Sequence, residues 1–301
     1  MEASQTRVET AAAVGRTIGL PTWLQAVIRF VRQKPLGAFS AAIVLLMIVV
    51  AVFANFLAPY DPLQTRYRLM MQAPNATFWL GTDTFGRDIL SRIIYGSRTA
   101  MLVGFTASLI GATVGAIIGV MSAYFGGKID LVVQRFMDVL LSLPLIVVAL
   151  AVVAALGPGT ENVIIALTVA MTPRCARVVR SSALAIRETP YVDAARAMGF
   201  RHMRIILRHM LPNVVAPYLI MITAFLGQAI LLEASLSFLG LGVTEPTPAW
   251  GLMLKGAAVE FAERAPWMGI FPGLAISASV FGFNLFGDSL RDVLDPKLRT
   301  S

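Results

Sequence analysis

Six stretches of this 301-residue chain stay apolar over lengths that match the hydrocarbon of a bilayer, and this restricts the fold more than any motif does. They run from Ala38 to Ala58, Thr99 to Phe125, Val139 to Leu156, Asn162 to about Ser182, Val214 to Leu232 and Trp267 to Phe286. Hydrocarbon offers no partner to a free backbone N–H or C=O, so only helices or closed barrels cross it. Runs of ~20 residues suit helices, whereas barrel strands need only ~10. The chain is therefore predicted to be all-α, a polytopic membrane protein with six transmembrane helices. At 57% hydrophobic and 14% charged residues, with a mean hydropathy of +0.74, it is too apolar for a soluble domain. The segment before Ala38 is long and mixed in character, and further spans follow, so the first run is read as an uncleaved helix rather than a signal peptide.

A formal charge of +8 would suggest a nucleic-acid partner in a soluble protein; here membrane topology accounts for most of it, and no nucleic acid is expected. With the N-terminus inside, 18 of the 25 lysines and arginines fall in cytoplasmic segments. These are Arg7, Arg16, Arg29, Arg32 and Lys34; Lys128 and Arg135; the eight arginines from Arg174 to Arg208; and Arg291, Lys297 and Arg299. Both termini are thus expected in the cytoplasm. The predicted organisation is a cytoplasmic segment 1–37, a first transmembrane helix 38–58, an external loop 59–98, a core of five helices over 99–290 and a cytoplasmic tail 291–301. Arg66, Arg68, Arg87, Arg92 and Arg98 in the external loop run against the charge rule, and Asp61, Asp83 and Asp88 offset them in part. In the fourth run Arg174, Arg177 and Arg180 are read as a cytoplasmic extension or as snorkelling to headgroups.

Between two apolar runs lies a short basic stretch, Tyr191 to Asn213. Thr189 followed by Pro190 reads as an N-cap with proline in the first helical position, where a missing N–H costs nothing. The helix should pass Asp193, Ala194 and Ala195 and end at Gly199, which suits a turn with positive φ. A second amphipathic helix is predicted from Met203, Ile206, Leu207, Met210 and Leu211, with Arg201, Arg204 and Arg208 on the other side and Pro212 as the boundary. The small residues Ala194, Ala195 and Gly199 would let another protein approach. The alternative is a helix lying on anionic lipid.

Other features take structural readings. Gly111, Gly115 and Gly119 recur every fourth residue and are expected to seat a neighbouring helix. Arg135 and Asp138 are spaced to pair on the third helix, which Pro144 can kink. Glu233 is read as closing the fifth helix, ahead of a Gly- and Pro-rich run expected to fold at the external mouth; it is a candidate contact for a cationic group on a substrate. GTDTFGRD, Gly81 to Asp88, has P-loop glycine spacing but Arg87 and Asp88 where lysine and Ser or Thr are needed. Cys175, alone, excludes a disulfide and is read as a packing residue, and with only His202 and His209 a metal site is not expected. No spacing argues for catalysis.

In order along the chain stand LAPYDP (Leu57 to Pro62), LGTDTFGRDILSRIIYGSR (Leu80 to Arg98), LGPG (Leu156 to Gly159), YVDAARAMG through RHMLPN (Tyr191 to Asn213), EASLSFLGLG (Glu233 to Gly242), FPG (Phe271 to Gly273) and FNLFGDSLRDVLDP (Phe283 to Pro296). Together they resemble the permease subunits of binding-protein-dependent ABC importers, and most closely the C-type permease of the dipeptide, oligopeptide and nickel branch. The family's coupling motif has the form EAA, three residues, G, nine residues, I, one residue, LP. Asp193, Ala194 and Ala195 stand for EAA, Gly199 is the glycine, and Leu211 and Pro212 end it. Asp193 replaces glutamate and keeps the charge; His209 occupies the isoleucine position.

The resemblance implies a type I importer permease fold in a bacterial inner membrane. It also implies a second, similar permease as partner, two ATPase domains that bind ATP and magnesium, and an external substrate-binding protein, with no cofactor in this chain. Dipeptides, oligopeptides, nickel chelates, glutathione and opines all fit as substrates. A secondary transporter would call for inverted repeats and central ionisable groups, and neither is evident. A membrane scaffold that moves nothing is the other rival.

Overall fold

In the computed structural model, which describes residue 31 and residues 34–258 and 261–294, the first apolar run forms α1, Pro35–Val52, followed after a break at Phe53 by the single turn α2, Ala54–Leu57. Arg7, Arg16, Arg29, Arg32, Lys297 and Arg299 lie outside the described residues. The second run is the end of a much longer helix, α3, Ile89–Phe125, of 37 residues. Asp88 starts it by accepting a hydrogen bond from the Ser91 backbone N–H at 2.8 Å. The stretch read as an external loop thus contributes ten helical residues, 89–98.

The third run is not one straight helix. α4, Gly127–Leu141, and α5, Leu145–Leu156, meet at 92° across Ser142 to Pro144. Pro144 lacks the N–H that would continue the ladder and holds its own φ at −55°. Asp138 pairs with Arg177 of α6, Thr160–Arg187, and not with Arg135 as its spacing suggests. Two short helical segments, α7 (Pro190–Ala197) and α8 (His202–Ile205), lead into α9, Val215–Phe238. α9 continues five residues past Glu233, so Glu233 does not close it. α10, Trp250–Ala258, turns back on α9, and α11, Trp267–Leu294, runs eight residues beyond the predicted end. Five of these helical stretches are long and apolar enough to cross a membrane, and the bent pair α4–α5 makes six.

The α3–α6 contact is the spine of the bundle. Ala107, Ala112, Leu167, Met171, Cys175 and Val179 are fully buried in the main core. The two backbones approach closely at Gly119: a Cβ there would lie 2.5 Å from the Ala176 carbonyl oxygen and 3.0 Å from the Arg180 nitrogen. Backbone cannot move aside as a side chain can. Gly119→Leu is therefore expected to destabilise the bundle by more than the ~1–3 kcal/mol of ordinary overpacking, measured as loss of monodisperse protein after detergent extraction. Cys175 has the packing role its sequence suggested: it is buried, with Sγ 3.2 Å from the Ala112 carbonyl oxygen.

Three of the five arginines that ran against the charge rule, Arg87, Arg92 and Arg98, have partners in other parts of the fold. Arg98 donates to the carbonyls of Ala51 (2.7 Å) and Val52 (3.1 Å), which end α1 without helical partners. Arg87 bridges Asp83 (2.6 Å) and Glu245 (2.8 Å), and Arg92, 1% exposed, lies 3.7 Å and 3.6 Å from the same two carboxylates. Burial disfavours the charge on Arg87, but the hydrogen bond to Glu245 and the charge of Asp83 outweigh it and hold the guanidinium above its ordinary value. The cluster joins the start of α3 to the loop between α9 and α10. Trp250 Nε1 donates to the Ile93 carbonyl at 2.9 Å and Thr99 Oγ1 to that of Pro248 at 2.8 Å, which fixes the same junction. GTDTFGRD is thus a turn that starts a helix, with its three charged side chains, Asp83, Arg87 and Asp88, all engaged.

Candidate functional site

Residues 189–214 cross from the end of α6 to the start of α9 at the arginine-rich end of the bundle. Thr189 has the extended backbone of an N-cap, but its hydroxyl donates to the Ile186 carbonyl at 2.5 Å and caps nothing. Val192 and Ala195 of α7 are buried in the main core. The opposite face is open: Asp193 has a side-chain exposure of 64% and among the described residues pairs only with Arg196, at 3.1 Å, and Ala194 and Met198 are exposed. Of the three residues in the D-A-A triplet, then, two face outward and Ala195 is spent on the core.

Gly199 has φ +73°, a conformation that costs an L residue about 1–2 kcal/mol. A Cβ there would meet nothing within 4 Å. The glycine is therefore needed by this chain for its backbone, and the empty space beside it faces outward.

The second amphipathic helix is shorter than predicted. After α8 the backbone opens into a π turn, Ile206–Met210, then tightens to a 3₁₀ turn, Leu211–Val214, around Pro212, which has no N–H to donate. The register shifts accordingly. Ile205, Ile206 and Met210 are buried, whereas Met203 and Leu207, expected on the apolar stripe, are 54% and 56% exposed. Leu211 is half-buried against the core. His209 sits among aromatic rings: its ring lies nearly parallel to that of Phe200, with centroids 6.2 Å apart, and 6.3 Å from that of Tyr191.

Just before its start and again near its middle, the segment is tied to the end of α3. Arg187 donates to the Ala123 carbonyl at 3.0 Å, and Tyr124 Oη lies 2.7 Å from His202 Nδ1. Nothing in the apolar run around Tyr124 identifies these long-range ties. Two further ties bind α4 to α6: Asp130 accepts from Arg180 at 2.6 Å and 2.5 Å and also from Ser122, and Asp138 pairs with Arg177. Glu233 lies away from all of this, 1% exposed, with its carboxylate accepting from Ser237 Oγ at 2.7 Å. Ser237 in turn accepts from the Val243 N–H at 3.0 Å, so the trio secures the turn after α9.

Residues 111–300 match the family model described as binding-protein-dependent transport system inner membrane component, and residues 22–74 match the N-terminal TM domain of oligopeptide transport permease C. The chain belongs to this permease family. Among its relatives, a protein of Brucella suis biovar 1 with a provisional name as a peptide transport system permease is 46% identical over 90% of each chain. The dipeptide transport system permease protein DppC of Alkalihalophilus pseudofirmus is 40% identical over 89% of the permease and 88% of its own length. The glutathione transport system permease protein GsiD of Pectobacterium atrosepticum is 40% identical over 90% of each. In fold, the permease matches a chain from inward facing conformations of the MetNI methionine ABC transporter, with TM-score 0.56 and 19% identity over 68% of the permease and 96% of that chain. The permease thus has the type I importer fold and is a membrane subunit of a transport complex. Among the described residues no group of three or more His, Cys, Asp or Glu side chains is placed to hold a metal.

Proposed function

We propose that the permease forms half of the translocation pathway of an ATP-driven importer of dipeptides, oligopeptides or related small solutes, and that residues 189–213 are where ATPase domains drive it. The observation that carries this reading is the shape of that segment. It is an exposed surface carrying Asp193, Met198, Met203 and Leu207, held by a buried side, and its two ends continue directly into α6 and α9. Movement imposed on such a surface passes to two spanning helices at once, which is what a rigid-body switch between inward and outward access requires. Asp193, Ala194 and Gly199 make the outward contact. Ala195, His209, Leu211 and Pro212 hold its shape. ATP and magnesium act on the partner ATPase domains, a second permease supplies the other half of the pathway, and an external binding protein delivers the solute.

A complex of these components in proteoliposomes should accumulate labelled short peptides only with ATP on the side of residues 189–213 and binding protein on the other. Accumulation driven by a proton gradient without ATP would sink the proposal, and so would ATP hydrolysis that never moves peptide. Both termini and residues 189–213 are placed in the cytoplasm by this reading. Because Cys175 is buried, it resists thiol reagents from either side and reports nothing about orientation. The exposed positions Trp79 (69%) and Met198 (65%) serve instead. Trp79→Cys should label with an impermeant reagent in intact cells and Met198→Cys only after permeabilisation; the reverse pattern inverts the topology.

A further inference from the structure

Arg174, Arg177 and Arg180 follow one another at every third position of α6, and the structure separates their roles. Arg177 and Arg180 are neutralised by Asp138 and Asp130. Arg174 has no carboxylate partner among the described residues; it lines a cavity of about 810 Å³ between α6, α9 and α11. The other walls carry Gln228 of α9 and Asn284 and Arg291 of α11, and no Asp or Glu lines the cavity. None of these four polar side chains has a hydrogen-bond partner among the described residues. From Pro217 to Leu231, both in the lining, α9 advances about 21 Å. The cavity is thus an open cleft that runs from the arginine-rich end along α9 to Leu231. Leu231 borders it at that end and also borders a separate hollow lined by Ser235 and Phe238.

Arg174, Asn284 and Arg291 are exposed and Gln228 is half-buried, so their polar groups are open to a solute that enters the cleft. A guanidinium fits a carboxylate bidentately, and side-chain amides offer both a donor and an acceptor to a peptide group. The volume falls in the range of small-molecule sites, about 300–1,000 Å³. We propose that this slot is the site the transported solute occupies on the ATPase side of Leu231, where Arg174 and Arg291 select for a free carboxylate and Gln228 and Asn284 hold peptide amides. The inference rests on the importer reading above and adds to it a specificity carried by this chain.

The test uses the full complex, with Ala224→Cys in the cavity lining as a reporter, because the native Cys175 is buried and contributes no background on this chain. In inside-out vesicles, saturating dialanine should slow modification of Ala224→Cys by a small thiol reagent ~10-fold, equivalent to ~1.4 kcal/mol of occupancy energy. Dialanine amide, which lacks the carboxylate, should leave the rate nearly unchanged. Arg174→Gln should remove the protection and Arg174→Lys keep it, and the KM for peptide uptake should rise with the first and not the second. Equal protection by the amide overturns the carboxylate assignment. So does protection by anionic lipid without peptide, which would make the slot a headgroup site, and so does a reporter that never reacts because the partner permease fills the slot. Normal peptide uptake without any protection overturns the inference alone; protection in a complex that moves no peptide supports the carboxylate site and counts against the importer reading.

Discussion

Gly199→Trp is expected to reduce ATP-driven uptake at least ~10-fold, a loss of ~1.4 kcal/mol or more of coupling, while the chain still inserts and folds. Two effects combine at this position. The left-handed backbone, φ +73°, adds about 1–2 kcal/mol for any residue with a Cβ, which is small against the ~5–15 kcal/mol stability of a folded protein. The indole also fills space that is empty in this chain and is open to a docking partner. Asn adopts the left-handed conformation more readily than other residues and is smaller, so Gly199→Asn should keep most of the activity. Co-purification of the ATPases with each variant separates strain from obstruction. If Trp and Asn lose binding equally, backbone strain alone is responsible; if neither loses it, residues 189–213 are not the ATPase contact.

The larger effect on stability is expected at Asp130. Its carboxylate holds Arg180 and accepts from Ser122, and the side chains of Asp130 and Arg180 are only 16% and 26% exposed. Removing one member of a mostly buried pair leaves the other charge without compensation, at a cost of about 3–5 kcal/mol. Asp130→Ala should therefore fall near that figure. Asp130→Ala combined with Arg180→Leu should recover most of the loss, because no buried charge then remains. Thermal unfolding in detergent measures both variants. Additive losses would show that the pair contributes nothing beyond its two members.

The spans were legible because their apolar residues form unbroken runs that leave helices as the only fitting structure. Helix ends were less so, for identifiable reasons. Ser91, Arg92, Ser97 and Arg98 made the first turns of α3 look like loop, yet Asp88 caps a helix there and all four side chains are engaged within the protein. Pro144 was marked as a kink, but nothing local to it specifies 92°; that angle depends on α4 being held to α6 through Asp130 and Asp138. These pairs join residues 39 and 50 positions apart. Helical spacing assigned Asp138 to Arg135 because it sees only neighbours. The same limit applies to the three arginines of α6, identical in spacing and type and different in role once the fold sets two against carboxylates and one against a cavity. Residues 189–213 were recognisable from their motif and polarity. Which of their side chains face outward was not, because the π turn before Pro212 shifts the register by a residue.

The buried cluster at the far end has a consequence for how the chain is made. Arg87 can meet Asp83, four residues away, as soon as both leave the ribosome, but Glu245 is 158 residues downstream. At ~5–20 residues per second, that interval is roughly 8 to 30 s of synthesis. During it the Arg87 and Arg92 guanidiniums share one carboxylate, and the junction that Trp250 and Pro248 complete does not yet exist. The contacts that join the start of α3 to the loop after α9 form only when the fifth span and the turn after it have been added. A nascent chain stopped before Glu245 would consequently present the start of α3 to proteases that the finished protein excludes.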